Sequence, residues 1–394
     1  MNTPKLRFKE YKDSWESKKI KELAYITMGQ SPNGESYTND SRETILIQGN
    51  ADIINEEVVP RVYTSSPTKM CEIGDIILSV RAPVGEIGIS QYRACIGRGV
   101  CSIRTNNMFL YHFLSKMRDN KTWKRLSQGS TFESINGDDI KETQVNIPLN
   151  TEEQIKISNF FDTINKKVNL QKEKINLLKE QKKGYMQRIF SQELRFKDVN
   201  GKKFPKWESI SLNNFASKIT TKNKDLTVKN VISNSAKNGL ISQKDFFDKE
   251  IANQENIDGY YVISNGDFVY NPRISSDAPY GPINIYKGLE DGVVSPLYMC
   301  FRVKDINKEY LLHYFKGSLW YKYVYMFGDS GARHDRVSIK DSTLLRMPIL
   351  VPSSPEQDLI ANFLSTLQDK IDVEEKKLTL LQKQKQAFMQ QMFI

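Results

Sequence analysis

The stretch NFFDTINKKVNLQKEKINLLKEQKKGYMQRIF, residues 159–190, returns 203 positions later as NFLSTLQDKIDVEEKKLTLLQKQKQAFMQQMF, residues 362–393. Aligned without a gap, 12 of the 32 positions are identical. In the first copy the seam residues are Ile164, Val168, Gln171, Ile175, Leu178, Lys182, Tyr185 and Ile189. In the second they are Leu367, Ile371, Glu374, Leu378, Leu381, Lys385, Phe388 and Met392. This alternating spacing of four and three is a coiled-coil heptad, interrupted twice by polar residues at matching places. Parallel packing would set Lys182 against Lys385. Antiparallel packing about Leu178 and Leu378 pairs Lys182 with Glu374 and Gln171 with Lys385, and a polar seam residue selects register at some cost in stability. The expectation is an intramolecular antiparallel coiled coil of two helices, each spanning roughly 55–60 Å at 1.5 Å per residue. Capping boxes open both: Thr151 at the N-cap with Gln154 at N3, and Ser354 with Gln357, where Pro355 occupies N1.

The repetition continues outside the helices. LRFK occurs at residues 6–9 and 194–197, WES at 15–17 and 207–209, and a Gly-Asp turn before a strand-like run at Gly74-Asp75 and Gly266-Asp267. LYHFL (110–114) answers LLHYF (311–315), and a proline closes each globular part, in VNIP (145–148) and ILVP (349–352). Four segments result: 1–150 and 191–352 as globular parts, 151–190 and 353–394 as long helices. Short β-rich runs bounded by Gly, Pro and Asn, together with helical patterns, make each globular part mixed α+β. The fold expected is therefore α+β, with two tandem mixed-sheet domains joined by the two helices in pseudo-two-fold fashion. Between the landmarks the halves look unrelated: RAPVGEIGISQYRACIGRGV shares little with PRISSDAPYGPINIYKGLEDGVVS. One frame with two fillings suggests one task performed on two targets.

The chain has 394 residues and a net charge of +10, which favours an acidic partner, nucleic acid first. No polybasic tail carries that charge. Four cysteines without a CxxC pair argue against zinc, and no apolar leader or spanning segment is visible, so a reducing, cytoplasmic setting without a membrane is expected. Chemistry finds little foothold. No GxxxxGK[ST] loop is present, since GQSPNGES (29–36) lacks the lysine. Neither NPRI (271–274) nor SPLY (295–298) completes an N-P-P-[YF] tetrapeptide of the base-amino methyltransferase kind. The triplet Glu374-Glu375-Lys376 resembles a nuclease core only in spelling, because it lies on the coiled-coil helix.

Taken with their duplicated order, the IP…EEQ…NFFD and VP…PEQ…NFLS helix starts, the GYMQRIF and AFMQQMF exits, LRFK…WES and GDIILSVRAPVGEIGI are similar to those of specificity (S) subunits of type I restriction–modification systems. The resemblance covers nearly the whole chain. It implies two target-recognition domains, each reading one half of a bipartite site in double-stranded DNA, and helices that dock two copies of a methyltransferase (M) subunit. Restriction (R) subunits join in the full complex. It also implies a non-catalytic chain with no cofactor of its own; S-adenosylmethionine, ATP and Mg are then expected on the partner subunits only. A spacer held between two readers measures a fixed half-site separation, on the order of one DNA turn for dimeric readers. The rival readings are a stand-alone DNA methyltransferase or nuclease, and a coiled-coil scaffold that ignores DNA.

Base readout favours Arg for guanine and Asn or Gln for adenine on loops that reach a groove. In the first half the candidates are Gln48, Asn50, Arg81, Arg98, Ser130, Thr131 and Phe132. In the second they are Asn234, Asn271, Arg273, Arg333, His334 and Arg336, the bland alternative for each being a solvated loop residue. GARHDR occupies the place of GSTFES in the other half, just ahead of the closing strand. His112 and His313 fall at the same place in the repeated helices, which argues for a role in the frame.

Overall fold

The computed structural model describes residues 3–127, 133–243, 257–329 and 335–394. The chain divides into two units, one of residues 1–173 with 375–394 and the other of residues 174–374. Each long helix (Thr151–Phe190 and Ser354–Met392) is thus shared, giving roughly one half to each unit. The four segments read from the sequence describe chain order, whereas packing groups the halves of the helices with the globular parts.

In the first unit Trp15–Lys19 pairs antiparallel with Gln144–Pro148. A six-stranded sheet runs Tyr25–Met28, Val100–Arg104, Ile76–Ser79, Ile87–Ile89, Glu57–Val58 and Ile53–Ile54. A five-stranded sheet holds Thr44–Ile47 parallel to Ala94–Ile96. The second unit repeats the scheme. Glu208–Ser211 pairs with Pro348–Val351, a four-stranded sheet runs Ala216–Lys218, Met299–Val303, Phe268–Tyr270 and Ile283–Ile285, and Val231–Ser235 lies parallel to Gly292–Val294. The α+β architecture expected from the sequence is the one observed. The two long helical patterns of the globular parts each break in the middle, at Lys121 in the left-handed region (φ 56°) and at Gly317.

Matching details show why the repeated words recur. Gly74 and Gly266 both sit at φ 88°, where a Cβ would be strained, and turn the chain so that the next carboxylate points inward. Asp75 then accepts from Arg104 (2.9 and 3.0 Å) and Asp267 from Arg302 (2.6 and 2.7 Å). In the arms that carry LRFK (6–9 and 194–197), Arg7 grips Glu153 at 2.7 Å through two nitrogens, and Arg195 grips Glu356 at 3.1 and 2.6 Å; both carboxylates are fully buried. The helix exits insert their last aromatic into a core. Phe190 lies 5.8 and 5.7 Å from the Tyr310 and Tyr314 rings in the second unit, and Phe393 lies 5.1 and 5.3 Å from Phe109 and Phe161 in the first.

The histidines serve the frame, as their matched positions suggest. His112 Nε2 lies 2.9 Å from Asp162, and His313 Nε2 lies 3.2 Å from Ser365, which ties each domain helix to a long helix. Burial, with Lys182, Lys287 and Lys316 nearby, holds the His313 pKa down at about 3, so it is neutral at physiological pH.

Two expectations about the helices need correction. Each helix starts one residue early. Asn150 accepts from the Glu152 N–H at 2.8 Å, and the Glu356 and Gln357 N–H groups donate to the Ser353 carbonyl, so Thr151 and Ser354 are not the caps. The glutamines instead reach back to the Pro148 and Pro352 carbonyls, at 2.5 and 2.9 Å. The register also differs. Within the second unit the helices are antiparallel, but Glu374 meets Lys174 (2.9 Å), Lys182 donates to Gln368 (2.6 Å), and Tyr185 stacks edge-on to Phe363 (5.0 Å). Lys182 therefore does not face Glu374. Nor does Lys385 need Gln171 to answer it: in the first unit its ammonium lies 3.3 Å from Glu56 of the 54–57 turn. The physical reason is that the globular part, and not only the opposite helix, supplies charge to the seam. Charge matching between two helices alone then chooses the wrong register. Because Lys174 is more than half exposed, Lys174→Glu should cost at most about 1 kcal/mol. Adding Glu374→Lys should recover most of it, read by urea unfolding; the pair Lys182→Glu with Glu374→Lys should show no such recovery.

Candidate nucleic-acid interface

In the first unit, the strand Thr44–Ile47 is buried toward its end and delivers the chain to an exposed Gln48. There the buried Asp52 carboxylate accepts from the backbone N–H of Gln48 (2.7 Å) and Gly49 (3.2 Å), which locks the turn and leaves the Gln48 side chain outside. Against this turn lies Gly97-Arg98-Gly99. A Cβ on Gly99 would stand 2.1 Å from the Gln48 carbonyl oxygen, so only glycine permits the approach. The Arg98 N–H donates to Ser31 Oγ at 3.2 Å. Arg61 donates to the Ala51 carbonyl at 3.2 Å and stays half exposed. Arg81 leaves the strand Ile76–Ser79 and bridges Ser134 through its backbone.

These pieces surround one cleft of about 480 Å³ lined by Gln48, Asn50, Arg61, Arg81 and Arg98, with Ser31 and Tyr37 at its side. Three arginines and one carboxylate, Asp52, line it; Asp52 Oδ2 holds the two backbone donors, and its Oδ1 lies 3.8 Å from Arg61 Nε. The cleft is therefore cationic, and it carries carboxamides beside arginines, the donor set that reads purine edges. Four of the seven residues expected to read DNA in this half come together here. Ser130, Thr131 and Phe132 lie outside the described residues. The sequence reading missed Arg61, which sits 13 positions after Gln48 and reaches the cleft only because the chain turns back.

The second unit corrects one expectation. Asn234 is 4% exposed and is a staple of the sheet, since its amide donates to the Val269 carbonyl (2.7 Å) and its oxygen accepts from Asn284 (2.6 Å). A side chain so satisfied inside a strand cannot turn to a groove. Asn271 is half buried and acts as a positioning residue: it donates to the Asn234 carbonyl (2.9 Å) and accepts from the Arg273 N–H (3.0 Å). Arg273 is exposed, pairs with Arg336 through the backbone, and lies 3.6 Å from Asp335, which is 3.8 Å from Arg336. Tyr298, which the sequence reading also missed, stands in the field of both arginines; burial raises its pKa while the Asn234 backbone and the two cations oppose that shift. Arg333 and His334 lie outside the described residues; Asp335 and Arg336, next in sequence, lie beside Arg273. Among the described residues there is no cluster of His, Cys, Asp and Glu suited to a metal ion, and no helix is long and apolar enough to cross a membrane.

The family model for the type I restriction modification DNA specificity domain matches twice, at residues 12–180 and 205–383. A candidate specificity subunit of type I restriction enzyme MjaX from Methanocaldococcus jannaschii is 30% identical over 195 residues, 48% of this chain and 45% of the relative. The MjaIX specificity subunit of the same organism is 27% identical over 169 residues, 38% of each chain. The chain thus spans less than half the length of the curated relatives it matches. Among solved structures, the type I restriction-modification S subunit from M. genitalium has the same fold, with TM-score 0.57 at 15% identity, covering 100% of this chain and 99% of that one. A chain from work on complex assembly and conformational transition of the type I R-M system aligns with TM-score 0.55 at 16% identity, over 95% and 96% of the two chains. With the family model matched in both halves over most of its length, this chain belongs to the type I restriction modification DNA specificity domain family.

Proposed function

We propose that this chain is the DNA sequence-specificity subunit of a type I restriction–modification complex. Each unit reads one half of a bipartite double-stranded DNA site, and the long helices dock two methyltransferase subunits, with restriction subunits completing the assembly. The chain itself carries no catalysis; S-adenosylmethionine, ATP and Mg belong to its partners. The observation that carries this reading is the first unit's cleft, where Gln48, Asn50, Arg61, Arg81 and Arg98 converge. Buried elements position that donor set, while the arginine and Gln48 side chains stay at the surface. A stability role accounts for Arg61, 3.8 Å from the Asp52 carboxylate, but not for Arg81 and Arg98 at the same cleft.

The test is a methylation map of genomic DNA from cells expressing the chain with and without its methyltransferase partner. The expected result is methylation at a split, asymmetric motif only when both are present. Methylation by the chain alone would replace this reading with the stand-alone enzyme. No methylation, together with no salt-dependent DNA affinity of the assembled complex, would leave the scaffold.

A further inference from the structure

The sheets expose a correspondence that the sequence hides. Ile76–Ser79 and Phe268–Tyr270 each run antiparallel to the next strand, with Leu78 opposite Ile87 and Tyr270 opposite Ile283. Counting from the two Gly-Asp turns, Arg81 and Arg273 occupy the same position, 192 residues apart. Ala82-Pro83-Val84-Gly85 follows Arg81 directly, and Ala278-Pro279-Tyr280-Gly281 follows Arg273 after residues 274–277, with Gly85 and Gly281 both at positive φ (96° and 80°). In both units the arginine's backbone bridges the segment that leads into the closing helix and strand, at Ser134 and Arg336. These hairpins, which look unrelated in the sequence, are one element with an insertion.

The neighbours of this arginine are not shared. The parallel strand pairs Ile47 with Ile96 and Ile232 with Val294. They align Gln48 with Ser233, Asn50 with Ser235 and Arg98 with Pro296. Stability does not explain why the arginine alone is kept. Among the described residues the Arg81 guanidinium has no hydrogen bond or ion pair, and Arg273 is 66% exposed with Asp335 at 3.6 Å. A residue that distinguishes bases must differ between half-sites that differ. One retained at an exposed mouth serves what both half-sites share, and the group common to every DNA sequence is the phosphodiester.

Resting on the function proposed above, we propose that Arg81 and Arg273 are the phosphate-gripping residues of the two units, contributing affinity without sequence preference, while Gln48, Asn50 and Arg98 carry the base identity of the first half-site. Arginine's planar fork of donors suits a phosphate's paired oxygens.

The experiment uses the complete chain assembled with its methyltransferase partner. Its affinity for a duplex bearing the mapped motif is measured across a salt series, and the motif of each variant is mapped. Arg81→Gln and Arg273→Gln should each weaken binding several-fold at physiological salt, lower the slope of log affinity against log salt by about 1, and leave the motif unchanged. Arg81→Lys should keep the wild-type slope, because a point charge also serves a phosphate. Gln48→Ala should do the opposite, relaxing one position of one half-site at an unchanged slope. A relaxed base for Arg81→Gln or Arg273→Gln, or no change in slope, overturns the assignment. Loss of DNA binding in the wild type would instead overturn the function on which it rests.

Discussion

Glu356→Ala should unfold the second unit well before the first. Its carboxylate is fully buried and answers three donors: Arg195 Nε at 3.1 Å, Arg195 Nη2 at 2.6 Å and Trp207 Nε1 at 3.1 Å. Truncation leaves a guanidinium and an indole N–H without their acceptor beneath the arm, where water cannot fully replace it. Removing one partner of a buried pair costs about 3–5 kcal/mol, because the penalty is the stranded charge and not the lost attraction. Glu153→Ala in the first unit should cost less. There Arg7 loses the same two bonds, but among the described residues Trp15 Nε1 has no partner to lose. Calorimetry of each variant checks the magnitude and the order, and equal shifts would show that the tryptophan bond contributes nothing.

The second large effect is Glu56→Ala. Glu56 stands in a turn where Asn55 and Glu56 both adopt positive φ, and it gathers Arg118 (2.8 Å), Lys385 (3.3 Å) and the Tyr111 hydroxyl (3.1 Å). Burial pushes its carboxyl up, but the charges of Lys385 and Arg118 and the hydrogen bonds from Arg118 and Tyr111 outweigh that and hold the pKa at about 2. Without the carboxylate, two cations confront each other against a long-helix seam, at a cost of about 2–4 kcal/mol. The linkage has a definite sign. The folded pKa lies below the ordinary glutamate value, so the contribution is complete above about pH 4.5 and is lost as pH falls toward 2. Wild type should therefore lose stability across that window more steeply than Glu56→Gln, which has no proton to gain there. Parallel acid-unfolding curves would remove Glu56 from the account.

The sequence by itself determined the α+β class, the duplicated frame and the seam of the long helices. Each of these is written in local pattern: heptad spacing, glycine-aspartate turns, the word LRFK repeated letter for letter, and helix exits that keep their polarity. It also pointed to Gln48, Asn50, Arg81 and Arg98 as separate loop residues, because arginines and carboxamides next to Gly or Pro-Gly turns are legible one at a time. Tertiary structure alone decided that these four share a cleft with Arg61, since strands Thr44–Ile47 and Ala94–Ile96 become neighbours only by parallel pairing across some 50 residues. It also decided that Asn234 is a sheet staple, because whether an amide faces water or a neighbouring carbonyl depends on which strand lies beside it. Register was decided there too. Lys385 is answered by Glu56 from a distant turn, and a charge supplied by another part of the fold leaves no trace in the pattern of the helix it completes.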